Sequence, residues 1–198
     1  MKNRTHDIYT ILGASNHSIS DRSQNDFYAT PPSAVKRLIE LETFSDKIWE
    51  PACGMGHIAK EFELIGKDVK KTDIDDYGYD GCISGVDFLN TNIKFDGDII
   101  TNPPYNISTE FVKHAIETVT DGHKVAMFLK IQFLETQKRY KEIFKTYPPK
   151  VIYVSVKRYG CKSDGDFSNG EPGSAVCYCW FVWEKGFTGD PVVKWFNY

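Results

Sequence analysis

Asn102-Pro103-Pro104-Tyr105 brings hydrogen-bond acceptors, a stiff backbone and an aromatic face to one point of the chain. It follows Asp98-Ile99-Ile100-Thr101, an apolar run that reads as a strand end. The Asn102 side-chain carbonyl can accept a bond from an amino group, and the Pro103 main-chain carbonyl a second. Proline fixes its own φ and drives the residue before it into extended geometry, so Asn102 and Pro103 are both held, and Pro104 carries the stiffness on to Tyr105. The Tyr105 ring can stack on a flat partner. Two acceptors and a ring suit a planar amine: they orient it and favour the pyramidal nitrogen that attacks an electrophile. A Pro-Pro-aromatic turn is also an ordinary loop, so its meaning depends on its surroundings.

A second constellation lies upstream. Glu50-Pro51-Ala52-Cys53-Gly54-Met55-Gly56 joins a strand-like stretch to a helical pattern, and glycine permits a sharp turn and close approach of a ligand. Gly54-x-Gly56-x-x-Ala59 fits the relaxed dinucleotide fingerprint. Asp73, with Ile74 beside it, lies about 20 residues on, where a carboxylate can take two ribose hydroxyls. NAD and S-adenosylmethionine sites share these features. Two details favour S-adenosylmethionine. Glu50 sets a carboxylate where a pyrophosphate would lie, which opposes that anion but tolerates an ammonium and a sulfonium. Asp87-Phe88 offers an acceptor for an adenine amine and a ring beside it, although Asp87 also suits a turn or cap.

These residues need a scaffold that gathers strand ends. Thr30-Pro31-Pro32 predicts a helix start, with Thr30 as cap and Ala34, Val35, Leu38, Ile39 and Leu41 as its apolar stripe. Strands are expected over 47–50, 68–74, 85–90, 95–101, 124–129, 151–156 and 175–184, helices over 57–65 and 109–118, and a mostly helical basic stretch over 133–146. The alternation predicts one α/β domain over 26–198: a Rossmann-like, mostly parallel seven-stranded sheet with an antiparallel last strand and helices on both faces. Ligands of such sheets bind at the carboxyl ends of the strands. Residues 1–25 read as a polar arm and 160–173 as a mobile loop.

The 198 residues, 41% hydrophobic and 26% charged, suit a soluble globular domain. No run reaches the roughly 18 apolar residues of a membrane helix. Residues 1–10 lack the apolar centre of a signal peptide, so a cytoplasmic location is expected. The five scattered cysteines read as free thiols, without a zinc spacing. Residues 124–162 hold ten basic and two acidic side chains, a net +8 that leaves −11 for the rest of a chain of net −3. A basic tract on an acidic body suits a polyanion on one face, and equally a solvated helix face.

Here the sequence resembles the amino-methyltransferases of DNA. Asp26-Phe27-Tyr28-Ala29-Thr30-Pro31-Pro32 resembles their N-terminal cofactor motif, Glu50 to Gly56 their glycine loop, Asp73 and Asp87-Phe88 their ribose and adenine positions, and Asn102 to Tyr105 their catalytic motif. The motif order is similar to that of the subgroup methylating N6 of adenine, small phage-type enzymes especially, over about residues 26–184. The resemblance implies S-adenosylmethionine as cofactor. Phe27, Thr30, Pro31, Glu50, Pro51, Ala52, Gly54, Gly56, Asp73, Ile74, Asp87, Phe88 and Asn102 would hold it. It implies catalysis by Asn102, Pro103, Pro104 and Tyr105 on an adenine turned out of DNA, without a metal. Lys130, Lys138, Arg139, Lys157 and Arg158 are the basic residues expected to meet DNA. Such enzymes often carry a substantial target-recognition region, for which this chain has no room. Recognition then falls to loop 160–173, to the stretch around Lys138-Arg139, or to a partner protein.

Other functions compete. The same turn serves enzymes acting on RNA base amines and on glutamine amides of release factors. A cytosine N4 enzyme would more often carry serine at position 102. A non-catalytic DNA-binding protein could use the same fold. An NAD dehydrogenase leaves Asn102 to Tyr105 without a purpose.

Overall fold

The computed structural model describes residues 27–197, so the arm expected over 1–25, and Asp26 of the N-terminal motif, lie outside the described residues. Strands β1 (Lys47–Glu50), β2 (Asp68–Lys71), β3 (Asp98–Thr101) and β4 (Lys124–Lys130) are parallel. Strand β5 (Val151–Ser155) is separated from β4 by β6 (Tyr178–Glu184), which runs antiparallel to both, and β7 (Val192–Phe196) pairs parallel with β5. The sheet order is β2-β1-β3-β4-β6-β5-β7.

A sheet covered on both faces needs nearly continuous apolar strands. Ile99-Ile100, Val125 to Leu129 and Trp180 to Trp183 supply them, and their alternation feeds two cores. Ile100, Ala126, Phe128, Trp180 and Val182 meet helices α1 (Pro32–Leu41) and α2 (His57–Leu64) through Ala34, Val35, Leu38, Ile58 and Phe62. Ile99, Val125, Met127, Leu129, Phe181 and Trp183 meet α3 (Ser108–Thr118) through Phe111, Val112, Ala115 and Ile116. Three buried indoles each find an acceptor: Trp180 Nε1 donates to Ala34 O at 2.9 Å, Trp49 Nε1 to Thr72 Oγ1 at 2.9 Å, and Trp183 Nε1 to Tyr147 O at 3.1 Å. Each indole can therefore be buried without an unmet N–H.

Several boundaries differ from expectation. Residues 85–90 form no strand: Asp87 Oδ1 accepts Leu89 N at 3.0 Å and caps a 3-10 turn, Phe88–Asn90. The strand expected over 175–184 is antiparallel, as β6, and the sheet's seventh strand is instead β7, beyond it. The basic stretch is not one helix. A 3-10 turn, Ile131–Leu134, stops before Thr136, whose φ of 89° breaks the path and whose Oγ1 caps Arg139 N at 3.3 Å. A short helix, Gln137–Arg139, then widens into a π turn, Tyr140–Phe144. Thr30 does not cap α1 either. Pro31 holds that position, and the free donor Ser33 N bonds Glu171 Oε1 at 2.9 Å, from the far end of the chain.

Candidate active site

A cleft with about 770 Å³ of empty space opens across the carboxyl ends of β1, β2 and β3. β3 ends in Asn102-Pro103, and Tyr105 begins a 3-10 turn, Tyr105–Ile107, that leads into α3. The Asn102 amide donates Nδ2–H to the Tyr28 carbonyl at 2.7 Å. A carbonyl only accepts, so this bond decides which end of the amide is nitrogen. Oδ1 is then the free end, and it is buried with no partner. Only one other buried side-chain oxygen among the described residues lacks a partner, the neighbouring Thr101 Oγ1.

Tyr105 stands beside the amide. Its hydroxyl lies 3.6 Å from Cys161 Sγ, and its ring stacks on Tyr28 with centroids 5.8 Å apart and planes at 21°. Tyr178 packs tilted at 6.0 Å, and Lys130 Nζ lies 4.6 Å from the ring centre. Burial pushes the Tyr105 hydroxyl well above its usual pKa, with the nearby Cys161 adding to the shift, so it stays a neutral phenol.

The part of the cleft expected to hold the cofactor is built on carboxylates. Asp73 Oδ2 accepts Gly54 N at 2.7 Å and Oδ1 accepts Asp75 N at 3.0 Å, which ties the glycine turn to the end of β2. Each oxygen keeps a lone pair for a further donor. Glu50 is 2% exposed, and its Oε2 accepts Ala59 N in the first turn of α2 at 2.7 Å. Thus Glu50 serves the helix as well as the cleft. Burial raises the pKa of both carboxyls, against the lowering effect of these N–H donors. Asp87 and Phe88 also line the cleft. Asp87 spends one oxygen on Leu89 N and the other on Asn90 Nδ2 at 2.6 Å, and Phe88 sits edge-on to Trp49.

The two glycines serve the protein before any ligand. Gly54 and Gly56 have φ of 52° and 77°, and a Cβ on either would run into an aromatic ring, Phe27 over Gly54 and Tyr79 over Gly56. The structure gathers Phe27, Thr30, Glu50, Pro51, Ala52, Asp73, Ile74, Asp87, Phe88 and Asn102 to Tyr105 around the cleft. Pro31, Gly54 and Gly56 stay behind that wall, as helix start and turn.

The basic residues do not converge on the cleft. Lys138 Nζ pairs with Glu110 at 3.1 Å, and Lys157 Nζ with Glu171 at 2.9 Å. Arg139 Nη1 donates to Gln132 O at 3.0 Å, and Arg158 Nη1 to Ala175 O at 2.7 Å. Of the five, Lys130 is the one set against the Asn102 to Tyr105 turn, over Tyr105. Loop 160–173 is clasped rather than loose. Lys162 bridges Ala29, Glu171 holds both Ser33 N and its hydroxyl, and His57 Nε2 donates to Gly165 O at 2.9 Å.

Cys161, Tyr178 and Tyr77 surround the site without having been expected there, and Tyr28 was expected only as part of the N-terminal motif, with no role of its own. Tyr28 had a signal in that motif, and it lines the cleft next to Phe27. Tyr178 reaches Tyr105 from the start of β6, and Cys161 from the loop before it, beside the bridge between Ala29 and Lys162. The antiparallel strand was expected, but which of its residues meet Tyr105 was not.

No protein-family profile matches the chain, and no curated protein matches it by sequence. Solved structures share its fold. An inferred class I S-adenosylmethionine-dependent methyltransferase from Listeria monocytogenes aligns at a TM-score of 0.60 and 15% identity, over 98% of this chain and 72% of its own. An inferred RNA methyltransferase from Pyrococcus horikoshii aligns at 0.60 and 16%, over 94% and 100%. The modification subunit of an inferred type I restriction enzyme from Vibrio vulnificus aligns at 0.60 and 12%, over 100% of this chain and 53% of that one, so this chain spans about half its length. The fold is the class I methyltransferase fold.

Proposed function

We propose that this protein transfers a methyl group from S-adenosylmethionine to the N6 amine of adenine in DNA. The observation that carries the reading is Asn102 Oδ1, a buried acceptor without a partner at the wall of the cleft. An unmet buried acceptor costs about 1–3 kcal/mol, which a bound amino group would recover.

The cleft's charge supports the cofactor. Glu50 and Asp73 are buried carboxyls, and no lysine or arginine lines the cleft among the described residues. Such a site repels a pyrophosphate and favours a cation, which argues against NAD. Asp73 retains lone pairs for ribose hydroxyls, and Phe27, Ile74 and Phe88 give apolar walls. When bound, S-adenosylmethionine supplies an electrophilic methyl group on a sulfonium.

The chain's own residues then handle the amine. The Tyr28 carbonyl fixes the Asn102 amide so that Oδ1 accepts an N–H of the target amine, and the Pro103 carbonyl accepts the other. These bonds draw the nitrogen out of conjugation with its ring and towards the attacking geometry. No strong base is needed, because the nitrogen carries a positive charge once its lone pair has bonded to the methyl group, and in that state it is acidic and gives its proton to the Asn102 and Pro103 acceptors and on to water. The base must leave the duplex to reach the cleft. Since Tyr28 is stacked on Tyr105, a base uses that ring either by displacing Tyr28 or on its opposite face.

The test is transfer of labelled methyl to unmethylated duplex DNA, with RNA and a glutamine-bearing protein in parallel, read by mass spectrometry of nucleosides and peptides. N6-methyladenine in the DNA is the expected product. Label confined to RNA or protein would keep the amine chemistry and overturn the substrate.

A further inference from the structure

The loop after β2 is fixed at its neck and lies over the glycine turn at its tip. Thr72 and Ile83 form a bridge, Asp73 N donates to Ile83 O at 3.1 Å, and Ile83 N donates to Lys71 O at 3.0 Å. Within the tip, Asp76 Oδ1 accepts Gly78 N at 2.8 Å. Tyr77 and Tyr79, two residues apart, have different surroundings. Tyr79 is an anchor: its ring fills the space beside Gly56, its hydroxyl donates to Glu63 Oε2 at 2.8 Å, and it does not line the cleft. Tyr77 does line the cleft. Its ring stacks on Phe27 with centroids 4.6 Å apart and planes at 26°, and Phe27 in turn lies against Gly54. The Tyr77 hydroxyl is 3.5 Å from Asp75 Oδ2, the outer limit of a hydrogen bond, so the ring contact holds it more firmly than the hydroxyl does.

We propose that Tyr77 is a cofactor-positioning residue, which with Phe27 forms a stacked aromatic wall closing the cofactor end of the cleft beside Asp73. The inference rests on S-adenosylmethionine being the ligand, and it is independent of the methyl acceptor. Its two rings come from segments fifty positions apart in sequence, and their stack locks the N-terminal segment to the loop. A ligand held against a wall already ordered in this way loses less binding energy to ordering it. Tyr79 secures the loop through Glu63, which leaves the Tyr77 ring available to the cleft. Burial and the adjacent Asp73 push the Tyr77 hydroxyl up to about 12, consistent with a neutral ring contact rather than an anionic ligand.

Calorimetric titration of the full chain with S-adenosylhomocysteine tests this. Tyr77→Ala and Tyr77→Leu are each expected to weaken binding about 3- to 10-fold, the scale of one aromatic contact, while Tyr77→Phe retains wild-type affinity. In turnover, the loss belongs in KM for S-adenosylmethionine and not in kcat. Unfolding temperatures of the variants separate a binding loss from a folding loss, and Tyr77→Leu keeps most of the bulk should Tyr77→Ala fail to fold. Wild-type affinity in Tyr77→Leu would overturn the proposal. An equal loss in Tyr77→Phe would place the effect in the hydroxyl and overturn it too. No binding by the wild type would instead remove the cofactor reading on which it rests.

Discussion

Asn102 and the basic tract are opposites in how they use polar capacity. The Asn102 Oδ1 is buried yet unpaired. Lys138, Arg139, Lys157 and Arg158 lie in a region of high positive charge, yet each has a protein acceptor. Burial makes an unpaired atom expensive, whereas an exposed charge can pair at almost no gain. The unspent acceptor therefore points to a ligand more strongly than ten basic residues do. A charge count along the sequence records what a segment carries, and the fold decides how much of it remains to offer.

The severest way to break this contrast is Asn102→Ala. Turnover is expected to fall about 100-fold or more, the scale for removing one preorganised polar group at a reacting centre. Stability should change by no more than about 1 kcal/mol, because the lost bond to the Tyr28 carbonyl is offset by removal of an unmet acceptor. Methyl-transfer kinetics and denaturant unfolding on the same preparation check both halves. A variant that unfolds easily, or one that keeps its turnover, would make Oδ1 a structural atom. Tyr105→Ala should follow in size, weakening single-stranded adenine oligonucleotide binding by about 1–3 kcal/mol if the ring stacks on the base. A fluorescence-anisotropy titration that shows no change would leave Tyr105 as packing for Tyr28 and Tyr178.

Much of this site was legible in the sequence because it sits at strand ends marked by stiff or small residues. Asn102 to Tyr105, Asp73 and Glu50 lie together as expected, since a parallel sheet delivers its carboxyl ends to one edge. The glycine turn was legible as a turn, but the rings against it were not. Phe27 and Tyr79 approach Gly54 and Gly56 from separate segments, and the spacing of glycines says nothing of what faces them. The third expected strand failed on Asp87, whose short carboxylate accepts Leu89 N and turns the chain into a 3-10 turn. The seventh strand went unseen because β7 is an edge strand with Val192 to Trp195 exposed, so no buried alternation marks it.

Charge in the cleft offers a test of intermediate size. Burial raises the pKa of Glu50 well above its ordinary value and raises that of Asp73 as well, so the ligand-free protein holds their protons to higher pH than the unfolded chain does. For these two groups the sign is that folding loses stability as pH rises from the unfolded values to the raised folded values, stays level above them, and regains it as pH falls back through that window. A cationic ligand favours the carboxylates and lowers those values, so its binding releases protons. Affinity for S-adenosylmethionine should therefore decline as pH falls below the raised values, more steeply than affinity for the uncharged-sulfur S-adenosylhomocysteine. Calorimetry in buffers of different ionisation enthalpy reads the released protons. Equal pH dependence for both ligands would mean that the carboxyls do not sense the sulfonium.

The smallest expected effect returns to the basic tract and divides it. Lys130 lies over Tyr105 with no carboxylate partner among the described residues, whereas Lys138 pairs with Glu110 and stands 3.9 Å from Glu142. Removing a lysine that contacts a phosphate lowers the slope of log affinity against log salt by about 0.9. Lys130→Ala should show a drop of that size in DNA binding. Lys138→Ala should leave the slope nearly unchanged, because its ammonium already has anionic neighbours that would have to be given up to reach a phosphate. Reversing both Lys138 and Arg139 to Glu would add negative charge and lower affinity through the general field, so the single alanine variants discriminate better. Equal slopes for Lys130→Ala and Lys138→Ala would show that DNA meets the whole tract and that the observed pairs open on contact. A flat salt response in the wild type would return every one of these lysines to the solvated surface.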